Sequence, residues 1–196
     1  MDKYKIRILT ALIIYMGVSS FGILRAVFSG FAKDNNLSYT VSVYVGLSTL
    51  TATVYLIGMA VVCLILFFLI RSSDLIFFRK LVYYLSPVFL LGIAIFPVQF
   101  QRPETFFSSA HRIFSNGFFI LVILMLILQA LFERGLKRAY GITGALYGVA
   151  FILCYALDIT FFKQAILIFE TLFIFLYIGL FLFLHERSDS RVVPVK

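Results

Sequence analysis

What most constrains this chain is a series of long apolar stretches separated by short polar breaks, at about 6–29, 42–70, 80–100, 106–132, 138–157 and 164–184. Each reaches the roughly 20 residues that a helix rising about 1.5 Å per residue needs to cross some 30 Å of hydrocarbon. A closed β-barrel is the other architecture that satisfies backbone polar groups in lipid, and it requires segments of about ten residues alternating apolar and polar. FFILVILMLILQALF and ILIFETLFIFLYIGLFLFL do not alternate. The expected fold class is therefore all-α: an integral membrane six-helix bundle, a single polytopic domain over 1–196. Composition agrees, with 62% hydrophobic and 13% charged residues, where a soluble domain carries about 25% charged.

The distribution of basic residues predicts the topology. Lys3, Lys5 and Arg7 lie at or before the start of the first span; Arg71, Arg79 and Lys80 at the junction of the second and third; Arg134, Lys137 and Arg138 at the junction of the fourth and fifth; Arg187, Arg191 and Lys196 follow the last. Only Arg25, Lys33, Arg102, Arg112 and Lys163 fall on the other side. By the positive-inside rule the richer side is cytoplasmic, so both termini are expected in the cytoplasm. The same placement explains the net charge of +8 without nucleic acid, since no basic face is left outside the spans to bind it. The N-terminus is basic and then apolar, like a signal peptide. Its span reaches Ser29, longer than a typical signal core, so a retained anchor is expected. Short connections predict antiparallel packing of consecutive helices. With no segment between spans long enough for a soluble domain, function is expected within or at the face of a membrane, most simply a bacterial plasma membrane.

Ionisable groups within spans are costly and point to function by default. Glu170 lies inside the sixth span with Leu167, Ile174 and Tyr177 on its face, and must point into the bundle, pair with a cation or carry a proton. Arg25, His111 and Arg112 are at compatible depth, Asp158 begins the last outer loop, and Glu104 precedes the fourth span. Arg25, His111, Arg112, Asp158 and Glu170 are thus the candidate ligand-binding residues, an outward-facing polar cluster for a lipid headgroup, small ligand or ion. Ser48, Thr51 and Tyr55 on one stripe of the second helix, and Ser115 one turn below His111, extend it. The competing reading is an ion-pair and hydrogen-bond network that sets helix packing. If the chain is an enzyme, His111 and Ser115 at i, i+4 are the base and nucleophile, with Glu170 or Asp158 as orienter.

Other features carry less. Pro87 and Pro97 free carbonyls in the third span, and Gln99 and Gln101 follow. Gly141, Gly144 and Gly148 suit close helix approach. Gln129 reads as a packing residue, and His185 as a favourable group at a helix C-terminus. Cys63 and Cys154 show no paired spacing and no nearby His, so they read as small buried hydrophobes, and neither metal nor cofactor is expected. No nucleotide-binding or zinc-protease motif, potassium filter or pair of matching interrupted spans occurs.

Residues 91–119, LGIAIFPVQFQRPETFFSSAHRIFSNGFF, place Gly92, Phe96 and Pro97 at the end of the third span and His111 at the start of the fourth. This resembles the uncharacterised six-helix membrane family described as domain of unknown function 998, and is more weakly similar to the Frag-type and DRAM-type eukaryotic membrane proteins. Glu170 matches their acidic residue in the last helix, although Thr171 stands where they often have Trp. The resemblance implies the six-helix layout and a shared outward-facing His. Some Frag-type relatives remodel lipid anchors, which implies lipid handling by analogy. The function expected is non-enzymatic binding of a membrane lipid or small ligand, or assistance to a membrane-protein partner or a second copy of the chain. A lipid-modifying enzyme using His111, and a small transporter or channel subunit, are the alternatives.

Overall fold

The computed structural model describes residues 3–30, 40–97 and 106–184, with backbone only at Lys163 and Gln164. The described residues are helical and include no strand. The helices are α1 (Lys3–Phe28), α2 (Val41–Gly46), α3 (Thr49–Arg71), α4 (Phe77–Ile95), α5 (Phe106–Phe132), α6 (Gly135–Ala156), α7 (Thr160–Gln164) and α8 (Ile166–Leu180), the last extended by a 3-10 turn at Phe181–Phe183. Six of these are long and apolar enough to cross a membrane: α1, α3, α4, α5, α6, and α8 with its 3-10 turn. The end of the bundle carrying residues 3 and 184 is called proximal below, the opposite end distal. Glu104, Gln99, Gln101 and His185 lie outside the described residues.

Sequence neighbours pack against one another, and α8 returns to touch both α1 and α6. Small residues set the close approaches. On α4 and α5 the fit is reciprocal: Gly92 lies under Phe114, and Gly117 under Phe89, with the two rings edge to face at 5.6 Å. Gly141 lies hardest against α5, where a Cβ would stand 2.5 Å from the Ala130 nitrogen and 2.7 Å from the Leu126 carbonyl. Tyr140 and Tyr147 of α6 donate to the α8 carbonyls of Leu176 at 2.7 Å and Phe169 at 2.8 Å.

In the expected place of one helix over 42–70, the structure has two. The chain breaks at Leu47–Ser48, and Ser48 caps α3 by accepting from the Thr51 N–H at 3.2 Å. The Thr51 hydroxyl reaches back to the Val45 carbonyl at 2.7 Å, satisfying an acceptor that the break exposes. A second break, at Ala165, separates α7 from α8. Both interruptions sit toward the distal end.

Pro87 lies inside α4 and leaves the Tyr83 carbonyl without its helical donor. The Ser86 hydroxyl supplies one at 2.8 Å, and its oxygen lies 3.0 Å from the Tyr177 hydroxyl of α8. Since the Ser86 proton goes to the carbonyl, Tyr177 is the donor in that pair. The Cys63 thiol donates to the Pro87 carbonyl at 3.3 Å. A proline defect thereby becomes a junction of α3, α4 and α8.

The proximal end holds a charge pair that the basic-residue count had assigned to a loop. Arg79 is not in a loop but buried in α4 at 7% exposure. It donates to Glu133 at 2.9 Å and to the Gln129 side-chain carbonyl at 3.2 Å, and lies 5.6 Å from the Phe132 ring centre. Around it, Arg79 Nε, the Tyr83 hydroxyl and Gln129 Nε2 are buried without a partner among the described residues.

Candidate functional site

The buried stripe of α1 is Ile8, Ala11, Tyr15, Ser19, Gly22 and Ala26, a helical repeat that turns Tyr15 inward. Gly22 abuts Val45, which holds α2 against α1 with its first N–H facing α8. That N–H, on Val41, donates to Glu170 Oε2 at 2.9 Å. No second hydrogen bond and no cation reaches this carboxylate among the described residues. Tyr15 and Tyr55 line the same cavity as this carboxylate. The carboxylate points into the bundle, as a charge within a span must, and its partner is backbone rather than Arg25.

His111 is positioned from α4. Pro97 stops that helix shortly after Ile95, and the exposed Phe96 carbonyl takes the His111 Nδ1 at 2.7 Å. A carbonyl can only accept, so Nδ1 carries the proton and Nε2 retains the lone pair in the neutral ring. The Phe96 ring stacks on Phe114 at 5.5 Å and 8°, the same ring that covers Gly92. Gly92, Phe96, Pro97 and His111 therefore form one helix-ending constellation.

Between α1, α2, α3, α4, α5, α6 and α8, toward the distal end, lies a cavity of about 560 Å³, within the range of small-ligand sites. Its polar lining is Tyr15, Thr40, Ser42 and Tyr55, then Ser108, His111, Arg112, Ser115 and Asn116 of α5, with Tyr155 and Glu170 beyond. Phe118, Phe119, Phe151, Ile152, Ile166 and Ile174 supply an apolar wall. Arg112, Asn116 and Ile120 follow one another at successive turns of α5, and all three are exposed. With Ile152 and Tyr155 of α6, also exposed, they form a rim on the outward face of the bundle.

His111, Arg112, Ser115 and Glu170 thus share one space, together with Ser42 and Tyr55. Arg25 and Asp158 do not line it. Arg25 is exposed on α1, one position off the buried stripe. Asp158 is exposed with φ 58° and ends α6: its N–H bonds the Tyr155 carbonyl at 3.3 Å, and the Ile159 N–H bonds the Cys154 carbonyl at 3.2 Å. This is the two-bond left-handed helix stop, where Asp is tolerated better than most residues. Ser48 is the α3 cap and Thr51 its partner, so neither belongs to the cavity wall.

No hydrogen bond joins Ser115 to His111 among the described residues, and the group orienting the imidazole is the Phe96 carbonyl, not Glu170 or Asp158. Among the described residues no cluster of three or more His, Cys, Asp and Glu is placed to hold a metal. Reading the sequence overlooked Tyr15, Asn116 and Tyr155 at the cavity, and the Arg79–Glu133 pair. Signals existed for two of these. Tyr15 lies on the small-residue stripe of α1, and Glu133, one residue past α5, follows Gln129 by four. No protein-family model, curated protein or solved structure matches this chain.

Proposed function

We propose that this chain is a multi-pass plasma-membrane protein with both termini in the cytoplasm, and that its distal cavity binds a membrane lipid or a similarly amphipathic small ligand. One observation carries the reading. A single cavity presents a carboxylate and a guanidinium that do not pair with each other, among hydroxyl and amide groups, beside a wall of aromatic and aliphatic side chains. A packing network would neutralise its charges internally, as Arg79 and Glu133 do at the other end. An amphipathic ligand supplies polar partners to one wall and apolar surface to the other. The rim on α5 and α6 gives such a molecule a sideways entry from the surrounding bilayer. Remodelling of lipid anchors by some Frag-type proteins, to which the sequence bears a weaker similarity, agrees with this reading by analogy alone.

The test is retention of lipid by the purified protein. Delipidated protein, re-exposed to membrane lipid extract and washed in detergent, is expected to keep about one lipid per chain, with its headgroup in the cavity and its acyl chains leaving over the rim. Ser115→Trp, which narrows the cavity, is expected to reduce that retention sharply while the protein stays monodisperse. Equal retention by both proteins, at the detergent background, would overturn the reading.

A further inference from the structure

This inference rests on the lipid-binding reading and concerns the headgroup. We propose that the preferred ligand is a zwitterionic phospholipid bearing a free ammonium, of the phosphoethanolamine type, with its ammonium at Glu170 and its phosphate at Arg112.

The argument begins with what Glu170 lacks. A carboxylate offers about four acceptor positions, and among the described residues this one receives the Val41 N–H alone. Tyr15, Ser42 and Tyr55, which line the same cavity, bring no charge to it. Withdrawn from water without a cation, a carboxylate is strongly destabilised. An ammonium brings both the opposite charge and three donors.

Arg112 makes the complementary case. It lines the same cavity, is exposed at its rim, and forms no ion pair among the described residues. Its planar fork matches the oxygens of a phosphate. Below it on the same face of α5 stand Asn116 and then Ile120. Charged, polar and apolar groups at successive turns follow the order of a phospholipid from phosphate through ester linkage to acyl chain. An anionic headgroup lacking the ammonium satisfies Arg112 but sets a further negative charge near Glu170. A neutral diacylglycerol satisfies neither. Free phosphoethanolamine carries the same charges, but leaves the wall of Phe119, Phe151, Ile152 and Ile166 without a partner.

The experiment measures binding of single lipids to the intact purified chain in detergent by native mass spectrometry. The lipids are dioleoyl phosphatidylethanolamine, its N-acetylated form, dioleoyl phosphatidylglycerol and dioleoylglycerol, with phosphoethanolamine as the soluble arm. The ethanolamine lipid is expected to bind roughly tenfold more tightly than the glycerol lipid or the N-acetylated form, the scale of one charge-assisted pair. Glu170→Gln, which keeps an acceptor for the Val41 N–H, is expected to bind the ethanolamine and glycerol lipids alike. Arg112→Gln is expected to weaken both phospholipids and leave dioleoylglycerol unchanged. Should Glu170→Gln fail to fold, the N-acetylated lipid makes the same test on the unaltered protein. Equal binding of all the lipids, or a preference for phosphatidylglycerol, overturns the headgroup assignment while the lipid-binding reading stands. Phosphoethanolamine binding as tightly as the lipid overturns the lipid as its source. Binding of no lipid at all removes the lipid-binding reading itself.

Discussion

At the proximal end Arg79 lies against Glu133 and Gln129, within hydrogen-bond distance of both. At the distal end Glu170 and Arg112 face one cavity and do not meet. Both arrangements put charge into apolar helices, but the backbone around them differs. The proximal pair joins the first turn of α4 to the residue just past the end of α5, at the end of that antiparallel pair away from its connection. The distal charges sit where α2 breaks from α3, where α7 breaks from α8, and where Pro97 ends α4. At the proximal end directly packed helix ends bring opposite charges into contact. The interrupted distal helices leave a space, and the charges that line it do not meet. Charge inside a membrane-type bundle is therefore not one signal but two, separated by whether an opposite charge is already in contact.

The largest effect should come from breaking the proximal pair. Glu133→Ala strands the buried Arg79 guanidinium and is expected to destabilise the protein by about 3–5 kcal/mol, read from unfolding in detergent. The double variant Arg79→Met with Glu133→Leu removes both charges and should recover most of that loss. A double variant as unstable as the single one would mean that the pair does more than neutralise itself. Next in size is Gly141→Leu, which drives a side chain into the α5 backbone. An expected loss of about 1–3 kcal/mol would show that the close α5–α6 contact is needed for stability. Ser48→Ala should cost about 1 kcal/mol, the worth of a helix N-cap. A loss near zero would mean that the α2–α3 break is held by other contacts. The smallest stability change is expected at Arg112→Gln, within about 0.5 kcal/mol as for an exposed side chain. A large loss there would mean that the rim of the cavity is structural, and would erase the contrast between the two ends.

Much of the fold can be read from the residues because long, non-alternating apolar stretches leave few choices. The stretch 106–132 becomes α5 over Phe106–Phe132, a run long enough for a helix and without the alternation of a strand. The break at Ser48 was harder to see, though its signals are present. The stretch 42–70 is longer than a crossing requires, and Ser48 followed by Thr51 is a capping pattern. Of the candidate site, Glu170 was legible from depth and chemistry together. Its supposed partner Arg25 was not, because depth alone ignores facing. Arg25 is adjacent to Ala26, the last of the buried stripe Tyr15, Ser19, Gly22 and Ala26, and one residue around a helix turns a side chain by about 100°. His111 was found for its reactivity, while its observed contact is a cap on the Phe96 carbonyl. Contacts between distant helices, such as Arg79 with Glu133, follow from which helices neighbour one another, and periodicity within a single helix does not encode that.

The two glutamates give the most direct test, because the same change can be made at each end. Glu133→Gln and Glu170→Gln, prepared identically, can be compared for unfolding in detergent and for binding of phosphatidylethanolamine against phosphatidylglycerol. Glu133→Gln should unfold far more readily and keep the wild-type lipid preference in the fraction that remains folded. Glu170→Gln, with its amide oxygen still available to the Val41 N–H, should change stability by no more than about 1 kcal/mol and lose the preference. A Glu170→Gln protein that is as destabilised as Glu133→Gln, with its lipid preference intact, would show that the distal charges too are a packing network, and would contradict the account.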